Sequence, residues 1–161
     1  MEINKDDCPF YLNEYLFYIK VIKGRSERTV EAYYIDLRLF LRYLKLTKCK
    51  LPVDTNFESI NISDISIELL KQFTLNDAIE FLYCTASDRD NNTTTRARKA
   101  SSLKSFFKYL TVNTTYLEKN PIKDLELPTL KKSLPRFLTL EESIELLNNI
   151  NSSDTHRDYC I

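Results

Sequence analysis

Two short runs combine hydroxyl and cationic side chains as an anion-binding surface does. One is Arg25, Ser26, Arg28 and Thr29; the other is Thr93, Thr94, Thr95, Arg96, Arg98 and Lys99. Each stands at the start of a helical apolar pattern. A helix N-terminus leaves backbone N–H groups unpaired and carries the positive end of the helix dipole, so both favour phosphate. Hydroxyls and guanidinium forks in that place serve phosphate oxygens or base edges. Lys104, Lys131 and Lys132 continue the positive run downstream. The plainer reading is a solvated outer face, with Ser26 and Thr93 acting only as helix caps.

The charge layout bears on that choice. The formal net charge is zero, but residues 1–53 carry +3, 54–90 carry −6, 91–136 carry +7 and 137–161 carry −4. Segregated charge makes a surface field that the total conceals, and a run of +7 points to a polyanionic partner. Other chemistries find little support. Cys8, Cys49, Cys84 and Cys160 are far apart, and His156 is the single histidine, which argues against a zinc site. The scattered thiols read as reduced cysteines of a cytoplasmic protein. No paired acid and base, glycine-rich loop or metal cluster supports a self-standing enzyme, so no cofactor and no small-molecule substrate are expected. No apolar run approaches the roughly 20 residues of a membrane span, and the opening MEINKDDCPF has no signal-peptide core. No membrane partner is expected.

The elements that would hold these runs read as helices. One glycine and five prolines in 161 residues are too few for the turns of an antiparallel β protein, and 43% hydrophobic residues suffice for a core. A first helix follows Pro9, capped by Asp7 or Cys8, with Phe10, Leu12, Tyr15, Leu16, Ile19 and Val21 or Ile22 as its stripe; Gly24 suits the end, where φ is positive. Ser26 caps a second helix whose stripe is Val30, Tyr33, Tyr34, Leu37, Phe40, Leu41 and Leu44, with Arg28, Arg38, Arg42 and Lys45 opposite. Residues 47–62 read as a connector broken by Pro52, followed by a short helix from near Asp64 to Phe73. Thr74 and Asp77 form a capping box for a helix with Ala78, Phe81 and Leu82 inward. Asn92 or Thr93 caps the next, which runs to about Leu110 on Ala97, Ala100, Leu103, Phe107 and Leu110. Tyr33, Phe40, Phe106 and Phe107 have the spacing of a buried stripe rather than of base-stacking platforms. Residues 127–138 read as a basic linker. Thr139 and Glu142 then cap a helix of Leu140, Ile144, Leu146 and Leu147, and one more helix begins in NSSDTHRDYCI.

Residues 26–44, SERTVEAYYIDLRLFLRYL, resemble the opening signature of tyrosine recombinases and phage integrases, with Ser26, Thr29, Tyr33, Asp36, Leu37, Phe40 and Leu44 in place. Residues 95–110, TRARKASSLKSFFKYL, resemble their second signature, with Ala100 where Leu is usual and Lys104 where Arg is usual. Asn120-Pro121-Ile122, Leu134-Pro135, Leu138 and Thr139 with Glu141 and Glu142 resemble the junction into the catalytic domain. The order and spacing of these motifs over about residues 8–161 is similar to Xer-like, integron and transposon integrases.

The resemblance implies an all-α architecture: a SAM-like, four- to five-helix core-binding domain over residues 1–126, a linker over 127–138, and the first helices of a truncated catalytic domain over 139–161. It implies double-stranded DNA as partner, gripped by half of a C-shaped clamp whose second and fourth main helices cross in the major groove. Other recombinase subunits, assembled as a tetramer on DNA, are the implied protein partners. The family's chemistry uses an Arg in a G-x-R segment, a Lys on a β-hairpin, an H-x-x-R, a later His or Trp, and a Tyr nucleophile. Here the position three after His156 is Tyr159, not Arg. The first Arg of the set would fall about a dozen residues past Ile161, so this stretch is expected to bind DNA without catalysing recombination. The competing reading is a helical protein-interaction module that docks an acidic partner.

Overall fold

The computed structural model describes residues 8–52, 55–87, 93–127 and 137–148. All regular structure in these residues is helical: α1 (Phe10–Val21), α2 (Glu27–Lys48), α3 (Ile67–Lys71), α4 (Leu75–Ser87), α5 (Thr93–Lys108) and α6 (Leu140–Asn148). The chain divides into two compact units, Met1–Leu130 and Lys131–Ile161.

The first unit is a bundle in which α2 and α5 pack together, α1 lies on α2, and α4 lies on α5. Its centre is aromatic. The Phe40 ring meets Phe73, Phe81 and Phe107 edge-on at centroid distances of 4.9, 5.6 and 5.8 Å. Phe73 stacks on Phe107, and Tyr15 meets Phe106 edge-on at 5.3 Å. Burial of each such ring stabilises the fold by about 1.5–3 kcal/mol, and ring geometry adds roughly 0.5–1.5 kcal/mol per pair. Phe40, Phe106 and Phe107 are thus core residues, and Tyr33 packs against them half-buried. The apolar stripe of α5 is buried throughout, Ala97, Ala100, Leu103, Phe107 and Leu110 included.

Several local signals form as the sequence spells them. Ser26 Oγ accepts the Thr29 N–H at 3.4 Å and starts α2. Thr74 N–H donates to Asp77 Oδ2 at 2.8 Å while Asp77 N–H donates to Thr74 Oγ1 at 3.3 Å, a reciprocal box at α4. Gly24 turns the chain at φ +60, and the Arg25 N–H closes that turn on the Ile19 carbonyl at 3.0 Å.

Others differ. The buried side of α1 is Tyr11, Leu12, Tyr15, Leu16 and Ile19, whereas Phe10, Val21 and Ile22 are exposed. Tyr11 can go inside because its hydroxyl donates to the Ile65 carbonyl at 2.9 Å. α2 extends to Lys48, into the expected connector. The expected helix from Asp64 shrinks to α3, and a 3-10 turn forms at Phe57–Ser59. α5 passes at Tyr109 into a π turn ending at Asn113, in which Thr114 donates to the Tyr109 and Leu110 carbonyls.

In the second unit, Thr139 and Glu142 form the reciprocal cap of α6, with N–H to oxygen distances of 2.8 and 3.2 Å. Leu140, Ile144 and Leu146 of α6 are exposed. Asn92, most of the linker over 127–138 and the helix expected in NSSDTHRDYCI, with His156, Tyr159 and Cys160, lie outside the described residues.

Candidate nucleic-acid interface

α2 and α5, each of which begins in one of the hydroxyl-and-cation runs, pack against each other. Arg98 Nη1 donates to the Ala32 carbonyl at 3.0 Å and meets Asp36, and further along Phe40 meets Phe107. These contacts place the first two turns of α5 against residues 32–36 of α2.

At the α2 end, Arg25, Ser26 and Arg28 are exposed and Thr29 is half-buried. Ser26 and Thr29 hydroxyls share a hydrogen bond of 2.9 Å, so both act in the cap. At the α5 end, Thr94 is exposed, and Thr93, Thr95, Arg96 and Arg98 are half-buried. Arg96 Nη2 donates to Thr93 Oγ1 at 3.4 Å, and its Nε is buried without a partner among the described residues. Lys104 is half-buried, its ammonium on the Leu125 carbonyl at 2.7 Å. Lys131 and Lys132 lie outside the described residues.

Lys99 stands apart from the run in which the sequence puts it. It is 5% exposed, and its ammonium lies 3.0 Å from Asp36 Oδ1. Position 99 sits on the side of α5 that faces α2, beside Ala100 and Leu103, so the side chain points inward. Asp36 is itself 1% exposed and pairs with both Arg98 and Lys99. A carboxylate taken out of water needs such partners. The sequence offered a signal: an aspartate beside Leu37 inside an apolar stripe must meet a cation across the interface.

The cations further along α2 serve a different end. Arg42 pairs with Glu58 at 2.6 Å and donates to the Ile60 carbonyl at 3.2 Å. Lys45 pairs with Asp64 at 2.7 Å, and Lys48 with Asp77 at 2.8 Å. The acidic segment therefore neutralises the C-terminal half of α2 and pins the connector to it. Burial alone would raise the Asp77 pKa, but hydrogen bonds from Lys48 and Thr74 outweigh it and hold the carboxyl below its usual range. Cations with no carboxylate partner among the described residues remain at the N-terminal end of α2 and on the outer side of α5, among other places.

Among the described residues, no three His, Cys, Asp or Glu side chains gather as a metal site, and no helix is long and apolar enough to cross a membrane. Cys8, Cys49 and Cys84 form no disulfide among the described residues.

Residues 12–113 match the family model described as the phage integrase N-terminal SAM-like domain. A tyrosine recombinase XerC of Caldanaerobacter subterraneus subsp. tengcongensis is 42% identical over 153 residues, covering 95% of this chain and 43% of that protein. The XerC of Thermodesulfovibrio yellowstonii is 32% identical over 139 residues, or 86% of this chain and 38% of its own length. A tyrosine recombinase of Pseudothermotoga lettingae is 29% identical over 149 residues, or 92% and 44%. The chain thus spans about two fifths of the length of these relatives. No solved structure matches it.

Proposed function

The chain belongs to the tyrosine recombinase family, through the phage-integrase SAM-like domain, and from that premise we propose that it grips duplex DNA at a recombination site. The observation that carries this reading is that two packed helices, α2 and α5, each begin in a run rich in hydroxyls and arginines. A major groove roughly 12 Å wide accepts an α-helix. In this reading Arg25, Ser26, Arg28 and Thr29 of the α2 end and Thr93, Thr94, Thr95, Arg96 and Arg98 of the α5 end meet phosphates or base edges. Lys104 adds charge beside them, and Lys131 and Lys132 continue the positive track into the linker. Lys99 acts from inside, by holding Asp36 and so the angle between the two helices. The chain's part is binding. Strand exchange belongs, in this reading, to a longer recombinase, assembled from several subunits on DNA. Phe17 and Val21, one turn apart and exposed on α1, favour a protein contact with such a subunit alongside DNA binding.

The test is fluorescence anisotropy on random duplex DNA at several salt concentrations. The expected slope of log K against log salt is about −3 or steeper, since each neutralised phosphate contributes about 0.9. Replacing Arg25 and Arg28 by Gln should make the slope shallower by roughly 2. Absence of binding at low salt would overturn the reading and leave the protein-interaction module in its place.

A further inference from the structure

A groove of about 740 Å³ opens between the end of α1, the C-terminal half of α5 with its π turn, and the turn at 120–123. Lys23, Lys104, Lys108 and Lys123 line it together with Tyr18, Ser105, Asn113 and Asn120, and no acidic side chain is among the described residues of its wall. Lys104 is occupied by the Leu125 carbonyl. Lys23 lies over the Tyr18 ring, 5.7 Å from its centroid, a contact that leaves the ammonium open to an anion. Lys108 and Lys123 are exposed. Asn120 accepts the Ile122 N–H through its side-chain oxygen, which leaves its amide N–H groups as donors.

Elsewhere the bundle does the opposite. Arg42, Lys45, Lys48, Lys71, Arg98 and Lys99 each meet a carboxylate within 3.0 Å. Four lysines on one cavity with no acid in its wall repel one another, and a bound anion relieves that repulsion. The volume exceeds one phosphate group many times over, so it suits linked phosphates. Lys23 stands two residues before Arg25, which joins the groove to the α2 N-terminus.

We propose that this lysine groove holds the phosphodiester backbone of one strand of the bound duplex, as a second phosphate track continuous with the α2 end. The inference rests on the DNA-binding reading above. Lys23, Lys108 and Lys123 are its residues, and none of them belongs to the hydroxyl-rich runs.

The experiment compares the wild-type chain with the triple variant Lys23→Gln, Lys108→Gln, Lys123→Gln, by anisotropy on random duplex DNA over a salt series, with circular dichroism as the control for folding. The expected result is an unchanged helical spectrum and a salt slope shallower by up to about 2.7, at about 0.9 per lost contact. A folded triple variant with the wild-type slope would overturn the groove and leave the DNA-binding reading standing. Wild-type protein that binds no duplex at low salt would overturn both. Inorganic tripolyphosphate is added as competitor to separate a backbone from a free anion. Displacement of the duplex by tripolyphosphate at an equal concentration of phosphate would overturn the backbone assignment.

Discussion

Asp36 is a single buried carboxylate that serves two cations, Arg98 and Lys99, from the facing helix. Its place on α2 makes it an internal strut, since both partners sit in the first two turns of α5. Replacing it by Asn leaves the Lys99 ammonium buried against a neutral amide. Breaking such a pair on one side costs about 3–5 kcal/mol, a large part of a typical domain's stability of 5–15 kcal/mol. Asp36→Asn should therefore lower the urea midpoint sharply, and adding Lys99→Met should restore most of the loss. A change below about 1 kcal/mol in the single variant would show that the carboxylate does not hold the helices.

At the scale of elements, the caps and the charged stitches decide where helices begin and what they carry. Asp77 closes the box on Thr74 and also pairs with Lys48, so it ties the start of α4 to the end of α2. Asp77→Ala should cost about 1–2 kcal/mol, the worth of a cap and a half-buried charged hydrogen bond. The Asp77 pKa is lowered on folding. Its contribution is thus fully present above the usual carboxylate value near 4 and is lost as pH falls through the lower folded value. Urea melts of variant and wild type should differ at neutral pH and converge in acid; an equal gap at both would contradict the assignment. Both capping boxes, the Ser26 cap and the Gly24 turn were legible in the sequence, because the caps are set by residues three apart and the turn by a single glycine. The rotation of α1 was not, because Tyr11 is buried by virtue of a carbonyl 54 residues away. The inward turn of Lys99 and the role of Asp36 depend likewise on a partner helix that periodicity does not see. The π turn at Tyr109–Asn113 has no residue signature of its own.

For the whole molecule, folding and the proposed DNA binding draw on different forces. The core is aromatic and aliphatic, the Asp36 carboxylate that pairs with Arg98 and Lys99 is buried and little screened, and the surface pairs Lys20–Glu27 and Lys71–Glu68 are worth little. The proposed binding, by contrast, rests on counterion release. Raising salt fourfold should weaken duplex binding by about 60-fold for a slope of −3, while the melting temperature moves by no more than about 2 °C. A melting temperature that falls in step with affinity would mean that the surface charges also hold the fold. The layout along α2 has one more consequence. Its 22 residues extend about 33 Å, with free arginine at the start and neutralised lysines at the end. A body with no net charge feels little pull toward DNA from afar, yet a lopsided one feels a torque as it comes within a Debye length of about 10 Å. On the proposed reading, such a molecule is turned into alignment more than it is drawn in, and it meets the duplex already facing it.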